Sequence, residues 1–206
     1  MIVACRKHKN IIMHGNSLMN LYANSTTQGG HYCATKIYEN LILLGMTKVN
    51  LVNLSINGNP TATKIANWTT QTAPIIQPFD VVVLWEIQND VSAGWLTGAQ
   101  AYANLVTFAN LVRAVGAKIV VGTATARNHT LDTTQFTRNS DCNTLVRADT
   151  TSFDLIVDIG GQSGFSLQSD CTGANYQADK LHHSTTGSDN AATYFANQIY
   201  SSGVIG

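Results

Sequence analysis

The sequence predicts an α/β fold in three layers, a five-stranded parallel sheet between two sets of helices. Five short runs rich in Val, Ile and Leu alternate with longer segments whose apolar residues recur at helical spacing. The clearest run, Val81-Val82-Val83-Leu84-Trp85, is apolar at every position. A strand covered on both faces has that pattern, whereas a strand with one wet face alternates. Hydrophobic residues make up 44% of 206 residues. At that size folding removes roughly 70% of the unfolded surface from water. No repeat, low-complexity stretch or linker interrupts the alternation, so residues 1–206 read as one domain.

Taken in order, Ile11-Ile12-Met13 reads as the first strand. His31 to Met46 carries Ala34, Ile37, Tyr38, Leu41, Ile42 and Leu44 at near-helical spacing, with Gly45 as a stop. Val49 to Leu54 is the second strand. Thr61 to Thr70 is a helix bounded by Pro60 and Pro74. Asp80 to Trp85 is the third strand, and Ala99 to Val115 a long helix ending at Gly116. Lys118 to Thr123 is the fourth strand, Thr134 to Ala148 a helix, Phe153 to Val157 the fifth strand, and Ser184 to Tyr200 the closing helix. Such sheets bind ligands at the carboxyl ends of their strands.

Composition narrows the function. Charged residues are 12% of the chain, about half the usual share, and the formal net charge is zero. No basic stripe with interleaved aromatics is present, so nucleic acid is not an expected partner. No apolar run approaches the ~20 residues of a membrane span. A surface rich in hydroxyls and amides suits carbohydrate surroundings. Met1 to Lys9 is too short and polar for a secretory leader. The compartment therefore reads as cytoplasmic, virion-associated or that of a trimmed secreted chain. Oligomeric state is not legible. The cysteines are Cys5, Cys33, Cys142 and Cys171, without a Cys-x-x-Cys pair, so neither zinc nor any other metal or cofactor is expected. Cys142 and Cys171 are the candidate disulfide, with four free thiols as the equal alternative.

Chemistry-bearing residues gather just after strands. Ser17 follows the first strand in His14-Gly15-Asn16-Ser17-Leu18, and Gly58 follows the second. Asn89 and Asp90 follow the third, in Glu86-Ile87-Gln88-Asn89-Asp90. Asp179-Lys180-Leu181-His182 precedes the last helix, with a carboxylate and an imidazole three positions apart. A serine, a histidine and an aspartate are the parts of an activated nucleophile. Of the neighbours, His14 reads as a packed residue, and Glu86 as a buried acid bonding loop amides. Asp158 reads as a loop anchor and His183 as solvent-exposed or substrate-facing. Arg127 either anchors its loop or touches an anionic or sugar substrate.

The set resembles the SGNH, or GDSL-type, serine esterases. Gly15-Asn16-Ser17-Leu18 matches the first motif, with Asn where Asp is usual. Gly58 matches the second. Asn89-Asp90 matches the end of the third, where Ile87 replaces the usual Gly. Asp179-x-x-His182 matches the last, followed by His183 where Pro is frequent, and Gly187 lies where the final helix opens. The resemblance implies a flavodoxin-like SGNH-hydrolase fold and a catalytic triad of Ser17, His182 and Asp179. It implies an oxyanion hole of the Ser17 N–H, the Gly58 N–H and the Asn89 side-chain amide. The implied activity is hydrolysis of short-chain, acetyl-type O-esters, with a small-molecule or glycan ester as substrate. A lipase or lysophospholipase, or a non-catalytic glycan-binding module on the same fold, are the alternatives.

Overall fold

A computed structural model describes residues 8–20, 32–92, 95–128 and 133–206. Its centre is a five-stranded, wholly parallel sheet of order β2-β1-β3-β4-β5. The strands are β1 (Lys9–Gly15), β2 (Val49–Asn53), β3 (Val81–Trp85), β4 (Lys118–Gly122) and β5 (Leu155–Val157). The helices are α1 (Ser17–Asn20), α2 (Tyr32–Leu43), α3 (Thr61–Ala66), α4 (Ile87–Ser92), α5 (Gly98–Ala114), α6 (Thr133–Ala148) and α7 (Thr185–Ser202). This is the expected three-layer α/β/α arrangement.

Strand alternation sends successive side chains to opposite faces. Ile11, Met13, Val81, Val83 and Trp85 meet α2 and α7 through Ile37, Leu41, Phe195 and Ile199. Ile12, Val82, Leu84, Ile119 and Val121 meet α5 and α6 through Leu105, Phe108, Val112 and Val146. Every residue of β3 is buried, because β3 has a strand on each side and helices above and below.

Helix ends follow local chemistry. Thr97 caps α5, its hydroxyl accepting from the Gln100 N–H while the Gln100 side chain accepts from the Thr97 N–H. The Ser184 hydroxyl accepts from the Gly187 N–H at the start of α7. Beyond α2, Gly45 adopts φ +101°, a conformation only glycine takes freely.

Four expectations change. The helix read from Thr61 to Thr70 stops at Ala66 and resumes as a wide π-helical turn, Trp68–Thr72. That turn places the Thr72 hydroxyl 3.1 Å from His14 Nε2. The fifth strand starts at Leu155 rather than Phe153, because the Asp154 carboxylate accepts from the Ile119 N–H and pairs with Lys118. Asn89 and Asp90 lie on α4, not in an irregular loop. The candidate Cys142–Cys171 disulfide is absent and both thiols are free. Cys142 lies in the core on the α5/α6 side of the sheet and Cys171 in the core on the α2/α7 side, so the sheet stands between them. Cys5 and His31 lie outside the described residues, and no described helix is long and apolar enough to cross a membrane.

Two predictions follow from what is buried. Cys33, Cys142 and Cys171 should resist iodoacetamide in the native protein. Each should alkylate fully in denaturant without reductant, as peptide mass spectrometry would show. His14 and His183 are both buried. Burial first, then Lys64 for His14 and His182 for His183, pushes both imidazoles down to about 3. An unfolded histidine titrates near ~6.5. The folded values lie below that, so the stability these groups contribute is complete above the unfolded value and is lost as pH falls toward the folded one. Moving from pH 7 to pH 5 should cost up to about 2 kcal/mol per histidine. Urea unfolding at the two pH values would measure it, and His14→Gln should make the loss shallower.

Candidate active site

The candidate serine stands where β1 ends. A Cβ on Gly15 would fall 2.4 Å from Met19 Cγ, so only glycine lets the chain turn this tightly into α1. Asn16 caps that helix: its side-chain oxygen accepts from the Leu18 N–H at 2.9 Å, and its carbonyl accepts from Met19 and Asn20. The capping oxygen is one that Asp would also supply, so the Asn changes charge without changing the turn. Ser17 begins the first turn, where N–H groups lack intrahelical acceptors.

The histidine reaches the serine from 165 positions away. His182 Nε2 lies 3.0 Å from Ser17 Oγ, and His182 Nδ1 lies 2.6 Å from Asp179 Oδ2. The Nδ1–H donates to the carboxylate, which leaves Nε2 to accept from the serine hydroxyl. Asp179 Oδ1 also accepts from the backbone N–H groups of Leu181 and His182, each at 3.0 Å. Burial works against the Asp179 charge, but the hydrogen bonds from the His182 ring and from the two amides outweigh it and hold the carboxyl below the usual range. The segment is clamped on both sides. The Gln177 N–H donates to the His182 carbonyl at 2.8 Å, and the Asn128 N–H donates to the Lys180 carbonyl at 3.0 Å.

Gly58 turns at φ +74° after β2. Two amides tie this turn to its neighbours. Asn20, at the end of α1, donates to Asn57 Oδ1 at 3.0 Å. Asn89 Nδ2, on α4, donates to the Asn59 carbonyl at 3.4 Å. The elements carrying Ser17, Gly58 and Asn89 are therefore laced together at one rim. Ile87, which stands where the resembled motif usually has Gly, opens α4 and buries its side chain in the core. A helix replaces the glycine turn and still carries Asn89. Asp90 accepts from both the N–H and the hydroxyl of Thr61, at 2.8 and 2.6 Å, docking α4 onto α3. Burial raises its carboxyl to about 6, against the bonds from Thr61.

The surrounding residues divide. His14 is packed edge-on to Phe108 at 5.1 Å, as expected. Asp158 accepts from Thr123 Oγ1 and pairs with Arg147, anchoring its loop. Arg127 is buried rather than open to solvent. Glu86 does not bond loop amides. Neither of its oxygens has a hydrogen-bond partner, and the nearest cation is Lys64 Nζ at 3.6 Å. Burial pushes its carboxyl well above the usual range, with Lys64 pulling the other way. His183 is not exposed: it sits in a box of Trp85, Phe165 and Tyr176. Its Nε2 meets Thr125 Oγ1 at 3.3 Å, and Gln88 Nε2 donates to the same hydroxyl at 3.0 Å. This chain of contacts joins the histidine segment to α4. Lys64 escaped the sequence reading. Its signal was a cation at helical spacing from Thr61 and Trp68, on the stripe of α3 that faces inward.

No protein-family model matches the chain. No curated protein matches it in sequence. Solved structures do match in shape. A lipase/acylhydrolase from Enterococcus faecalis superposes with a TM-score of 0.74 at 18% identity, over 94% of this chain and 96% of that one. A catalytic mutant of an acetylxylan esterase from Geobacillus stearothermophilus gives 0.66 at 13% identity, over 98% and 97%. A protein from Slackia heliotrinireducens assigned as an SGNH hydrolase gives 0.64 at 18% identity, over 93% and 99%. At such identities the likeness is one of architecture, and the architecture of this chain is the SGNH-hydrolase fold.

Proposed function

We propose that the protein is a serine esterase that removes short acyl groups from oxygen, with carbohydrate O-acetyl groups as its substrate. The observation that carries this reading is the continuous line from Asp179 Oδ2 through both ring nitrogens of His182 to Ser17 Oγ, at 2.6 and 3.0 Å. A serine hydroxyl is a weak nucleophile unless a base sits within hydrogen-bond reach.

In the proposed reaction Ser17 Oγ attacks the ester carbonyl carbon as its proton passes to His182 Nε2. Asp179 holds the ring in the required tautomer and stabilises the imidazolium. The tetrahedral oxyanion is met by the N–H groups of Ser17 and Gly58 and by the second amide hydrogen of Asn89. His182 then gives its proton to the leaving alcohol, an acyl-enzyme remains on Ser17, and water activated by His182 releases the acid.

The acetyl and carbohydrate parts rest on two supports. The solved structures of like shape include an acetylxylan esterase and an acetyl-xylooligosaccharide esterase. Among the described residues the large exposed apolar side chains occur singly along the sequence, with Ile56 after β2 and Trp95 between α4 and α5 in the connections that carry Gly58 and Asn89. A long acyl chain would need a continuous apolar mouth to bury its surface.

Three outcomes are expected. Ser17→Ala should abolish p-nitrophenyl acetate hydrolysis, and equal rates for the two proteins would remove the reading. Acetyl esters should be cleaved faster than p-nitrophenyl dodecanoate; a large preference for the long ester would transfer the assignment to a lipase. Asn89→Ala should lower kcat by about 10²–10³ with little change in KM, since an oxyanion donor acts in the transition state.

A further inference from the structure

Beneath the Ser17 turn lies a charge pair that stability does not explain. Lys64 is 3% exposed and Glu86 is completely buried. Their charged atoms stand 3.6 Å apart, and neither Glu86 oxygen makes a hydrogen bond. Two ions taken out of water recover their lost hydration only when the geometry is close and the remaining lone pairs are satisfied. This pair meets neither condition.

Its other contacts indicate a different role. Lys64 Nζ donates to the Gly15 carbonyl at 3.2 Å. Gly15 is the last residue of β1, two positions before Ser17. The same carbonyl already accepts from the Ile56 N–H at 3.0 Å, in the turn that leads to Gly58. Glu86, just past β3, accepts at its own carbonyl from the Asn89 N–H at 3.0 Å. Lys64 rides on α3, and Thr61 on that helix is bonded twice to Asp90 of α4. One buried cation thus touches the ends of β1 and β3, which lead directly into the serine turn and the Asn89 helix.

We propose that Lys64 and Glu86 are positioning residues for the serine turn. Lys64 fixes the direction of the Gly15 carbonyl, and with it the path of the chain into Asn16 and Ser17. Glu86 holds Lys64 in register with α4. The expected effect on rate rests on the esterase reading; the expected effect on geometry does not.

The test replaces both charges with apolar side chains of similar size, Lys64→Met with Glu86→Leu, beside Lys64→Met alone. Loss of one partner alone leaves Glu86 buried and unpaired, so the single variant is expected to be the less stable. The double variant should fold, with a melting temperature near that of the native protein. Its kcat on p-nitrophenyl acetate should fall by about tenfold or more while KM changes by less than about twofold, because a misplaced reacting group is felt in the transition state. A crystal structure of the double variant should show the Ser17 Oγ–His182 Nε2 gap opened beyond about 3.5 Å. Native kcat together with native spacing would overturn the proposal. A double variant that does not fold would also overturn it, by assigning the pair to stability. If the native protein proves inert toward esters the function reading fails, yet the spacing in the variant still decides the role of the pair.

Discussion

Parallel pairing is the constraint on which everything else here depends. Each of the five strands runs the same way, so each return path must cross a face of the sheet. That covers both faces with helices and brings all the strand exits to one rim. With β1 central between β2 and β3, the segments leaving those three strands are neighbours. Ser17, Gly58 and Asn89 are each the product of one exit. The site is a consequence of strand order before it is a consequence of side chains.

Much of this was legible in the sequence because it depends on period and punctuation. The apolar run at Val81–Trp85 marked a strand buried on both faces. Gly45 and Gly116 marked helix ends, and both take positive φ. The serine and the Asp-x-x-His segment were visible as residue types at element ends, and the structure brings them within hydrogen-bond distance. What was not legible depends on depth. Nothing local shows that His183 turns inward to its bridge with Tyr176 while His182, its neighbour, faces the serine. Nothing near Glu86 shows that its partner sits on α3, 22 positions earlier. The Cys142–Cys171 pairing failed for a related reason: Cys142 sits on α6 and Cys171 in the turn Gln168–Thr172, and the sheet separates their side chains.

The polar interior around the rim is unequally satisfied. Asp179 and Asp158 collect several donors each, and both carboxyls sit below the usual range despite burial, which opposes their charge. His14, His183 and Glu86 are buried with at least one atom unmatched. Unmatched polar atoms cost stability, and besides these residues they include Asn139 on α6. Asp179 and Asp158 are thus well bonded, whereas the two buried imidazoles serve as packing with one nitrogen each unmatched. Departures from the SGNH motif pattern are absorbed in this layer. Asn16 keeps the cap, Ile87 exchanges a glycine turn for a helix anchored in the core, and His183 fills an aromatic box.

The 165-residue span between Ser17 and His182 has a consequence for how the protein comes into being. The hydroxyl belongs to the β1–α1 unit, and the imidazole to a segment synthesised long after it. A nascent chain therefore carries Ser17 without the His182 imidazole until 165 further residues have been added. On the proposed esterase reading, reactivity would begin only when α7 docks against α2 and brings the histidine segment with it. Hydrolysis of a chromogenic ester would then report completed folding, and a stalled or shortened polypeptide would be chemically silent.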